Sequence, residues 1–295
     1  MKKGLNIRIT SLAGNNMKLD GGSMFGNAPK GLWNRWLSCD DHNRIDIASR
    51  SLLIETENEK ILFEAGVGNY LDPSMQKRFG IGEDRHVLLD SLKEAGVDPA
   101  GITRVILSHL HFDHAGGLLE KTGDNGGEFR PAFPAAEYIA GEKNFERAVS
   151  PHSRDRASFV PELNRLLEQS GRLYLKTSGD RIEADGVGVT FTESFGHTPG
   201  MLVSDISAGD RKLIFTGDLI PAHFYVNLPI TMGFDRNPEL LIDEKKALLD
   251  RAYTDNAYLV FPHDPFYAAS NIGYNKEKNR YQPENPAESF SIELQ

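Results

Sequence analysis

The chain contains the stretch Val105-Ile-Leu-Ser108-His109-Leu-His111-Phe-Asp113-His114-Ala-Gly116-Gly117, in which an apolar run leads into a polar turn. The apolar run predicts a short buried strand. Three histidines and one aspartate follow within six positions, and imidazole and carboxylate groups bind cations such as zinc and iron. If the strand continues, His109 and His111 project to the same side, because side chains alternate along a strand. This stretch therefore predicts a binding site for two adjacent metal ions.

The overall charge and the single cysteine exclude several classes of protein. The 33 basic and 42 acidic residues give a net charge of −9, without a lysine and arginine cluster, so we predict no nucleic-acid partner. The N-terminus lacks the apolar run of a signal peptide, and no segment is long enough to span a bilayer, so we predict no membrane partner. Cys39 is the only cysteine, so the chain cannot form an intrachain disulfide. Because a chain without disulfides fits a reducing compartment, we predict a cytoplasmic protein.

Hydrophobic periodicity predicts strands alternating with helices, which favours a layered α/β domain. The predicted strands cover residues 7–10, 51–55, 60–63, 105–107, 137–140, 173–176, 187–193, 202–206, 212–215 and 257–261. The predicted helices cover residues 86–95, 142–149, 161–169 and 238–251. We predict a glycine-rich turn at 123–127 and a polar tail beyond Asn271 that wraps the surface.

Residues 14–44 are rich in glycine, asparagine and aspartate and predict a long loop. This loop contains four large apolar side chains, namely Met24, Phe25, Trp33 and Trp36. These side chains either anchor a surface loop to the core or line an apolar pocket, and the sequence leaves both alternatives open.

Three later positions repeat the pattern of a strand followed by a polar group beside glycine or proline. His197 follows the strand that ends near residue 193, Asp218 follows the strand 212–215, and His263 follows the strand 257–261. Together with the HxHxDH motif, and in this order, they resemble the ligand set of the metallo-β-lactamase superfamily. The resemblance covers about residues 50–265. It implies a four-layer αββα sandwich with two central mixed sheets. We predict a single domain, 1–295, built of two pseudo-duplicated halves, about 1–170 and 171–295.

The resemblance also implies a ligand assignment for two divalent metal ions, which we predict to be zinc, with iron or manganese as alternatives. One ion is assigned His109, His111 and His197, the other is assigned Asp113, His114 and His263, and Asp218 bridges the two. A hydroxide between the ions would then attack an ester-like bond. Asp113 would also orient the water or shuttle a proton.

Within the superfamily, the opening segment 20–26 and the HLHFDHAGG form are most similar to the lactonase-like branch. This similarity implies a lactone or a carboxylic ester as substrate. The apolar side chains of segment 24–36, with Phe112, Phe224 and Tyr225, favour a neutral small molecule with an apolar portion, and the net acidity argues against polyanionic substrates. Two positions depart from the pattern. Pro221 stands where these lactonases have tyrosine, which makes His223 and Tyr225 the candidate substrate contacts. Glu64 replaces the usual aspartate, and we expect it to brace a ligand by hydrogen bonds.

Alternative functions stay open from the sequence. A phosphotriesterase, or a phosphodiesterase or nuclease of the same fold, would use the same ligands. A non-hydrolytic di-iron redox or binding protein is the alternative from another class, although flavodiiron proteins have glutamate where this chain has His111. A homodimer is also left open.

Overall fold

A computed structural model describes residues 6–122 and 128–294. The glycine-rich turn predicted at 123–127 lies outside the described residues. The strands are β1 (Ile7–Ala13), β2 (Met17–Asp20), β3 (Arg44–Ile47), β4 (Arg50–Glu55), β5 (Lys60–Phe63), β6 (Arg104–Ile106), β7 (Leu119–Thr122), β8 (Glu128–Pro131), β9 (Glu137–Gly141), β10 (Leu173–Lys176), β11 (Arg181–Ala184), β12 (Val187–Ser194), β13 (Met201–Ala208), β14 (Arg211–Phe215), β15 (Tyr258–Val260), β16 (Ala269–Asn275), β17 (Arg280–Ala287) and β18 (Ser291–Leu294).

The α-helices are α1 (Gly21–Phe25), α2 (Lys30–Trp33), α3 (Pro73–Arg78), α4 (Val87–Glu94), α5 (Phe112–Ala115), α6 (Glu142–Val149), α7 (Pro161–Gln169) and α8 (Pro238–Asp255). Short 3-10 helices cover Pro99–Gly101, Gly116–Leu118, Arg156–Ser158, Gly217–Leu219 and His223–Val226. No helix in the described ranges is long and apolar enough to cross a membrane.

Two seven-stranded sheets form the centre of the molecule. The first has the order β10-β9-β6-β5-β4-β1-β18, and the second has the order β11-β12-β13-β14-β15-β16-β17. Both are mixed, since β5, β6 and β9 are parallel neighbours in the first sheet and β14 and β15 are parallel in the second, while most other pairs are antiparallel. The predicted pair of mixed sheets is therefore confirmed.

The molecule has four layers, and three clusters of buried apolar side chains lie between them. Alternation along β4 places Leu52 and Ile54 between the two sheets, while Leu53 faces the outer cluster that includes Leu88 of α4. The second sheet packs its outer face against α8, which contributes Leu248. Helices therefore cover the outer face of each sheet, and the predicted αββα sandwich is confirmed.

The secondary structure of segment 14–44 differs from the prediction. This segment contains α1, α2 and the β2–β3 hairpin, whose ends pair Asp20 with Arg44, so the prediction of a plain loop is wrong. Asp20 caps α1, because its side chain accepts a hydrogen bond from the backbone N–H of Ser23 at 2.7 Å. The hairpin strands have only four residues each, which is too short for a clear alternation.

The prediction of a tail that only wraps the surface is also wrong. Strands β16 and β17 complete the second sheet, and β18 returns to pair with β1 in the first. Strand β17 is mostly polar and has no fully buried residue, so it lacks the pattern that identifies a strand. Because β10 and β18 both belong to the first sheet, the sheets do not divide at residue 170. The pseudo-duplication of the halves stays a prediction.

Polar side chains that follow the ends of four strands lie close together at one edge of the two sheets. His109 follows the last residue of β6 by three positions, and the same spacing separates β12 from His197, β14 from Asp218 and β15 from His263. Each of these side chains therefore stands on a short turn anchored by a buried strand. The positions of these turns are fixed by the pairing of the sheets.

Candidate metal centre

The structure brings all the predicted metal ligands together in one cluster. We call it the seven-residue cluster, and its members are His109, His111, Asp113, His114, His197, Asp218 and His263. All are buried except Asp113, which is partly exposed. Subsets of the cluster have ligand atoms that lie within 4.8 Å of one another, which is close enough to hold a metal ion.

Asp218 lies at the middle of the cluster. Its Oδ1 is 3.3 Å from Nε2 of both His114 and His263, and its Oδ2 is 3.3 Å from Nε2 of His197. The two carboxylate oxygens of Asp218 therefore face two different groups of imidazoles. This is the position from which a carboxylate can bridge two cations.

The first group consists of three imidazoles. Nδ1 of His111 lies 3.0 Å from Nε2 of His109 and 3.3 Å from Nε2 of His197. Three ring nitrogens converging at this distance match the ligand set of a metal with three histidines.

The second group combines two imidazoles with a carboxylate. Nε2 of His263 is 2.9 Å from Nε2 of His114 and 3.6 Å from Oδ2 of Asp113. Asp113 stands in the first turn of α5, one residue before His114, so one short helix supplies two members of this group.

Partners on the far side of the rings fix how two of these histidines are protonated. Nδ1 of His263 is 2.8 Å from the carbonyl oxygen of Ala48, which can only accept, so Nδ1 carries the proton. Nδ1 of His197 is held in the same way by Oδ1 of Asp235 at 2.9 Å. In the neutral rings, both Nε2 atoms then present lone pairs to the cluster. Such outer partners are characteristic of histidines that bind metals.

Glu64, predicted to brace a ligand by hydrogen bonds, stands beside the cluster but forms its hydrogen bond with the backbone that precedes His109. Its Oε1 accepts a hydrogen bond from the backbone N–H of Ser108 at 2.9 Å, and its Oε2 lies 3.4 Å from Nδ1 of His114. The hydrogen bond therefore holds the turn that carries His109, and the second oxygen approaches His114 without a hydrogen bond. The backbone of Glu64 adopts φ 65°, a left-handed conformation that L-residues rarely occupy.

The buried charges of the cluster shift several pKa values. Burial lowers the pKa of His109 and His111, and neighbouring imidazoles lower it further. Burial also opposes charge on His114, but surrounding carboxylates, chiefly Asp218, raise its pKa well above the ordinary value. Burial would raise the pKa of Asp218, yet three imidazoles hold it well below the usual range. The lowered pKa values favour the ionised carboxylate of Asp218 and the neutral rings of His109 and His111, which are the states that bind cations, whereas the raised pKa of His114 favours its protonated form.

A cavity of about 570 Å³ opens above the cluster. Five cluster members reach it, namely His111, Asp113, His197, Asp218 and His263. Its apolar lining consists of Leu19, Met24, Phe79, Phe112, Met232 and Phe234, together with small residues. Phe79 and Phe112 pack together with ring centroids 4.7 Å apart. The cavity therefore joins an apolar wall to the polar cluster.

The structure does not bring His223 and Tyr225 to this cavity. Tyr225 is buried, its hydroxyl donates to the carbonyl oxygen of Met24 at 2.7 Å, and its ring stacks on Phe25. Nδ1 of His223 is 2.5 Å from Oδ2 of the buried Asp264. These contacts give no support to the prediction that the two side chains meet substrate.

The apolar residues of segment 14–44 divide between the two predicted alternatives. Met24 lines the cavity, whereas Phe25 and Trp33 are fully buried in the apolar core and stack on each other. Trp36 packs against Phe224 outside the cavity. Only Met24 therefore contributes to the predicted pocket.

Asp235 is the functional residue that sequence reasoning missed. Besides His197, it accepts a hydrogen bond from the backbone N–H of Met232, so it joins the cavity wall to the cluster. It does not follow a strand, and 38 positions separate it from His197. No local pattern in the sequence could have identified it.

Comparison with known proteins gives a family match and several relatives, of which two are described. The model of the Metallo-beta-lactamase superfamily matches residues 45–263. An N-acyl homoserine lactonase of Bacillus thuringiensis is 27% identical over an alignment of 227 residues, and the match covers 72% of this chain and 79% of that protein. A probable metallo-hydrolase of Mycobacterium tuberculosis is 25% identical over an alignment of 267 residues, and the match covers 78% of this chain and 79% of that protein.

Solved structures share the fold. A crystal structure of a probable metal-dependent hydrolase from Staphylococcus aureus has a TM-score of 0.81 and 26% identity, and the match covers 96% of this chain and 99% of that chain. A dizinc quorum-quenching lactonase in complex with a product has a TM-score of 0.73 and 22% identity, with 96% of each chain covered. At 22% identity, the likeness to the lactonase structure shows only that the fold is shared.

Proposed function

Because this chain belongs to the metallo-beta-lactamase superfamily, we propose that it is a dinuclear enzyme that hydrolyses a lactone or a carboxylic ester. The coarser prediction from the motif, a metal-dependent hydrolase, is confirmed by the family and by its hydrolase relatives. The finer assignment of an ester-like substrate is our proposal. It is supported by the similarity to N-acyl homoserine lactonases and by the form of the cavity.

The convergence of ligand atoms around Asp218 is the observation that carries the proposal. Oδ1 of Asp218 is buried without a hydrogen-bond partner in the described part of the chain, although two imidazole nitrogens lie 3.3 Å away. A cation between these atoms would satisfy the oxygen and both nitrogens. The residues present therefore fit a pair of divalent metal ions.

We assign the two ions to the two groups of the cluster. The first would be held by His109, His111 and His197, the second by Asp113, His114 and His263, and both by Asp218. Nitrogen and oxygen ligands suit zinc, with iron or manganese as alternatives. We propose zinc.

The roles of the residues follow from their positions. When bound, two divalent ions would polarise the carbonyl oxygen of an ester and lower the pKa of a water molecule. Asp113 is the member of the cluster that is only partly buried, and it also lines the cavity, so it can orient a water molecule and accept its proton. Asp235 and Ala48 hold the rings of His197 and His263 in fixed orientations.

The cavity favours a small substrate with an apolar portion. Its volume of about 570 Å³ lies in the usual range for small-molecule sites, about 300–1,000 Å³. The packed rings of Phe79 and Phe112 offer a surface for an acyl or alkyl group next to Asp113. The uncharged character predicted for the substrate rested on the apolar side chains near the motif and stays a prediction.

A substrate panel tests this function. We expect chelator-sensitive hydrolysis of a neutral aliphatic lactone and of 4-nitrophenyl butyrate, because both present a carbonyl to the cluster. We expect bis(4-nitrophenyl) phosphate, an anionic phosphodiester, to be cleaved far more slowly. The measurement is kcat/KM for each compound before chelation, after chelation and after zinc is restored, with circular dichroism to show that the chelated protein stays folded.

The same panel separates the alternatives. Rapid cleavage of the phosphodiester with neither carbonyl compound cleaved would contradict the proposal and support the nuclease alternative. With diethyl 4-nitrophenyl phosphate, a neutral phosphotriester, added to the panel, cleavage of that compound alone would support a phosphotriesterase.

A further inference from the structure

The cavity wall carries equal numbers of cationic and carboxylate side chains, but two of the cations have no carboxylate partner among the described residues. Four cationic side chains line it, namely Lys18, Arg44, Arg78 and Arg154. Four carboxylates line it as well, namely Asp20, Asp113, Asp155 and Asp218. Whether a charge is available to a ligand depends on the partners that each of these groups already has.

The carboxylates are already engaged. Asp113 and Asp218 belong to the cluster at the base of the cavity. Asp20 accepts hydrogen bonds from the backbone of Ser23 and from the side chain of Asn43. Asp155 accepts two hydrogen bonds from the guanidinium of Arg147, at 2.8 and 3.0 Å. None of them contacts a cation of the cavity wall among the described residues.

Two of the four cations have carboxylate partners outside the cavity. Lys18 pairs with Asp46, and Arg44 pairs with Asp40 at 2.9 Å. Arg78 and Arg154 have no carboxylate partner anywhere in the part of the chain that the structure describes. Arg78 lies at the end of α3, where a cation also complements the helix dipole, so its position has an independent explanation.

Arg154 has no such explanation, and its guanidinium is fixed. Nη2 donates to the carbonyl oxygens of Gly233 at 2.8 Å and Asp235 at 3.2 Å, which ties it to the opposite segment of the cavity wall. Nε and Nη1 make no hydrogen bond within the described ranges. A guanidinium held by one nitrogen, with two further donors free, is prepared to bind an anionic oxygen.

We infer that the substrate carries a carboxylate at the end remote from its ester bond, and that Arg154, aided by Arg78, binds this carboxylate. This inference rests on the proposed function and names its substrate class. The cluster is buried and both arginines are exposed, so the scissile group would lie at the buried metal centre and the carboxylate would lie nearer to solvent. The rings of Phe79 and Phe112 would contact the apolar chain that joins them.

This inference revises the uncharged substrate predicted from the sequence. That prediction rested on the apolar side chains near the motif, and the net charge of the whole chain argued only against polyanions. Exposed charges farther away than about 8–10 Å are largely screened at physiological salt. Near the cavity, Arg78 and Arg154 have no carboxylate partner among the described residues, and such cations steer an anion toward a cleft. An acidic protein can therefore have a site that selects an acidic substrate.

Two esters of equal chain length test the inference. Mono-4-nitrophenyl adipate ends in a carboxylate, and 4-nitrophenyl hexanoate ends in a methyl group. We expect wild-type kcat/KM to be about tenfold higher for the adipate ester, the gain that one charge-assisted hydrogen bond provides. The preference should arise from KM and decrease as the salt concentration rises.

Variants assign the preference to Arg154. Arg154→Met should lose about tenfold in the ratio of adipate to hexanoate kcat/KM, and Arg154→Lys should lose less than Arg154→Met, because lysine keeps the charge but not the guanidinium fork. Arg78→Met, which removes no hydrogen bond seen in the described residues, should reduce the ratio less. Arg165→Met is the matched control, since Arg165 is exposed on α7 and does not line the cavity.

Each outcome separates the inference from the proposed function. Equal kcat/KM for the two esters in wild type would overturn the inference and leave the esterase proposal standing. An Arg154→Met variant that loses activity on both esters equally would show a structural role only and would also overturn it. If neither ester nor the lactone is hydrolysed, the proposed function fails and the inference fails with it.

Discussion

Replacing Asp218 with alanine is expected to abolish hydrolysis and to lower the metal content, while the protein stays folded. Asp218 is the only member of the seven-residue cluster whose carboxylate approaches histidines of both groups, at 3.3 Å in each case. Losing an outer partner of a metal ligand costs about 10–100-fold in metal affinity or activity. Losing the ligand between both sites should exceed that range.

The fold should survive because Asp218 contributes little to the core. It stands on the 3-10 turn after β14, and the apolar clusters are built by the sheets and the outer helices. The measurements are kcat/KM on the preferred ester, metal content by elemental analysis, and circular dichroism. Asp210→Ala is a suitable control, because that aspartate is exposed on the turn before β14. An Asp218→Ala variant with wild-type activity would refute the bridging role.

Replacing Asp113 with asparagine is expected to lower kcat by about 10²–10⁴-fold, the usual contribution of a general base. Its Oδ2 lies 3.6 Å from Nε2 of His263, and it also lines the cavity. It therefore touches both the metal centre and the space for substrate. The variant has the same shape but cannot accept a proton.

Metal analysis distinguishes the two roles of Asp113. Asparagine retains a carbonyl oxygen, so Asp113→Asn should keep more metal than Asp218→Ala does. A variant with full metal content and reduced kcat would support proton transfer by Asp113. A variant whose kcat stays at the wild-type value would show that Asp113 is not the base.

The parts of the centre that follow from local sequence could be predicted. Within the HxHxDH motif, the ligands are adjacent in the chain, and His197, Asp218 and His263 each follow an apolar strand at the same spacing. The αββα layers follow from the same alternation of strands and helices, together with the resemblance that the motif carries. Strand ends and periodicity are properties of short segments, which a sequence shows directly.

The parts that depend on long-range pairing could not be predicted. The β2–β3 hairpin joins Asp20 to Arg44 across two short helices, and β17 is polar and exposed. Asp235 meets His197 only because the segment before α8 folds back over the cluster. Tyr225 follows the Asp218 turn closely, but its ring is buried against Phe25. The direction in which a side chain points is decided by such packing.

The most direct test of the account is the metal content of the purified wild-type protein under metal-replete conditions. Elemental analysis by mass spectrometry, normalised to protein concentration, should give about two divalent ions per chain, because the two groups of the cluster can each hold one. The Asp210→Ala control should give the same value. A wild-type content of one ion or fewer per chain would contradict the dinuclear centre on which the proposed hydrolysis depends.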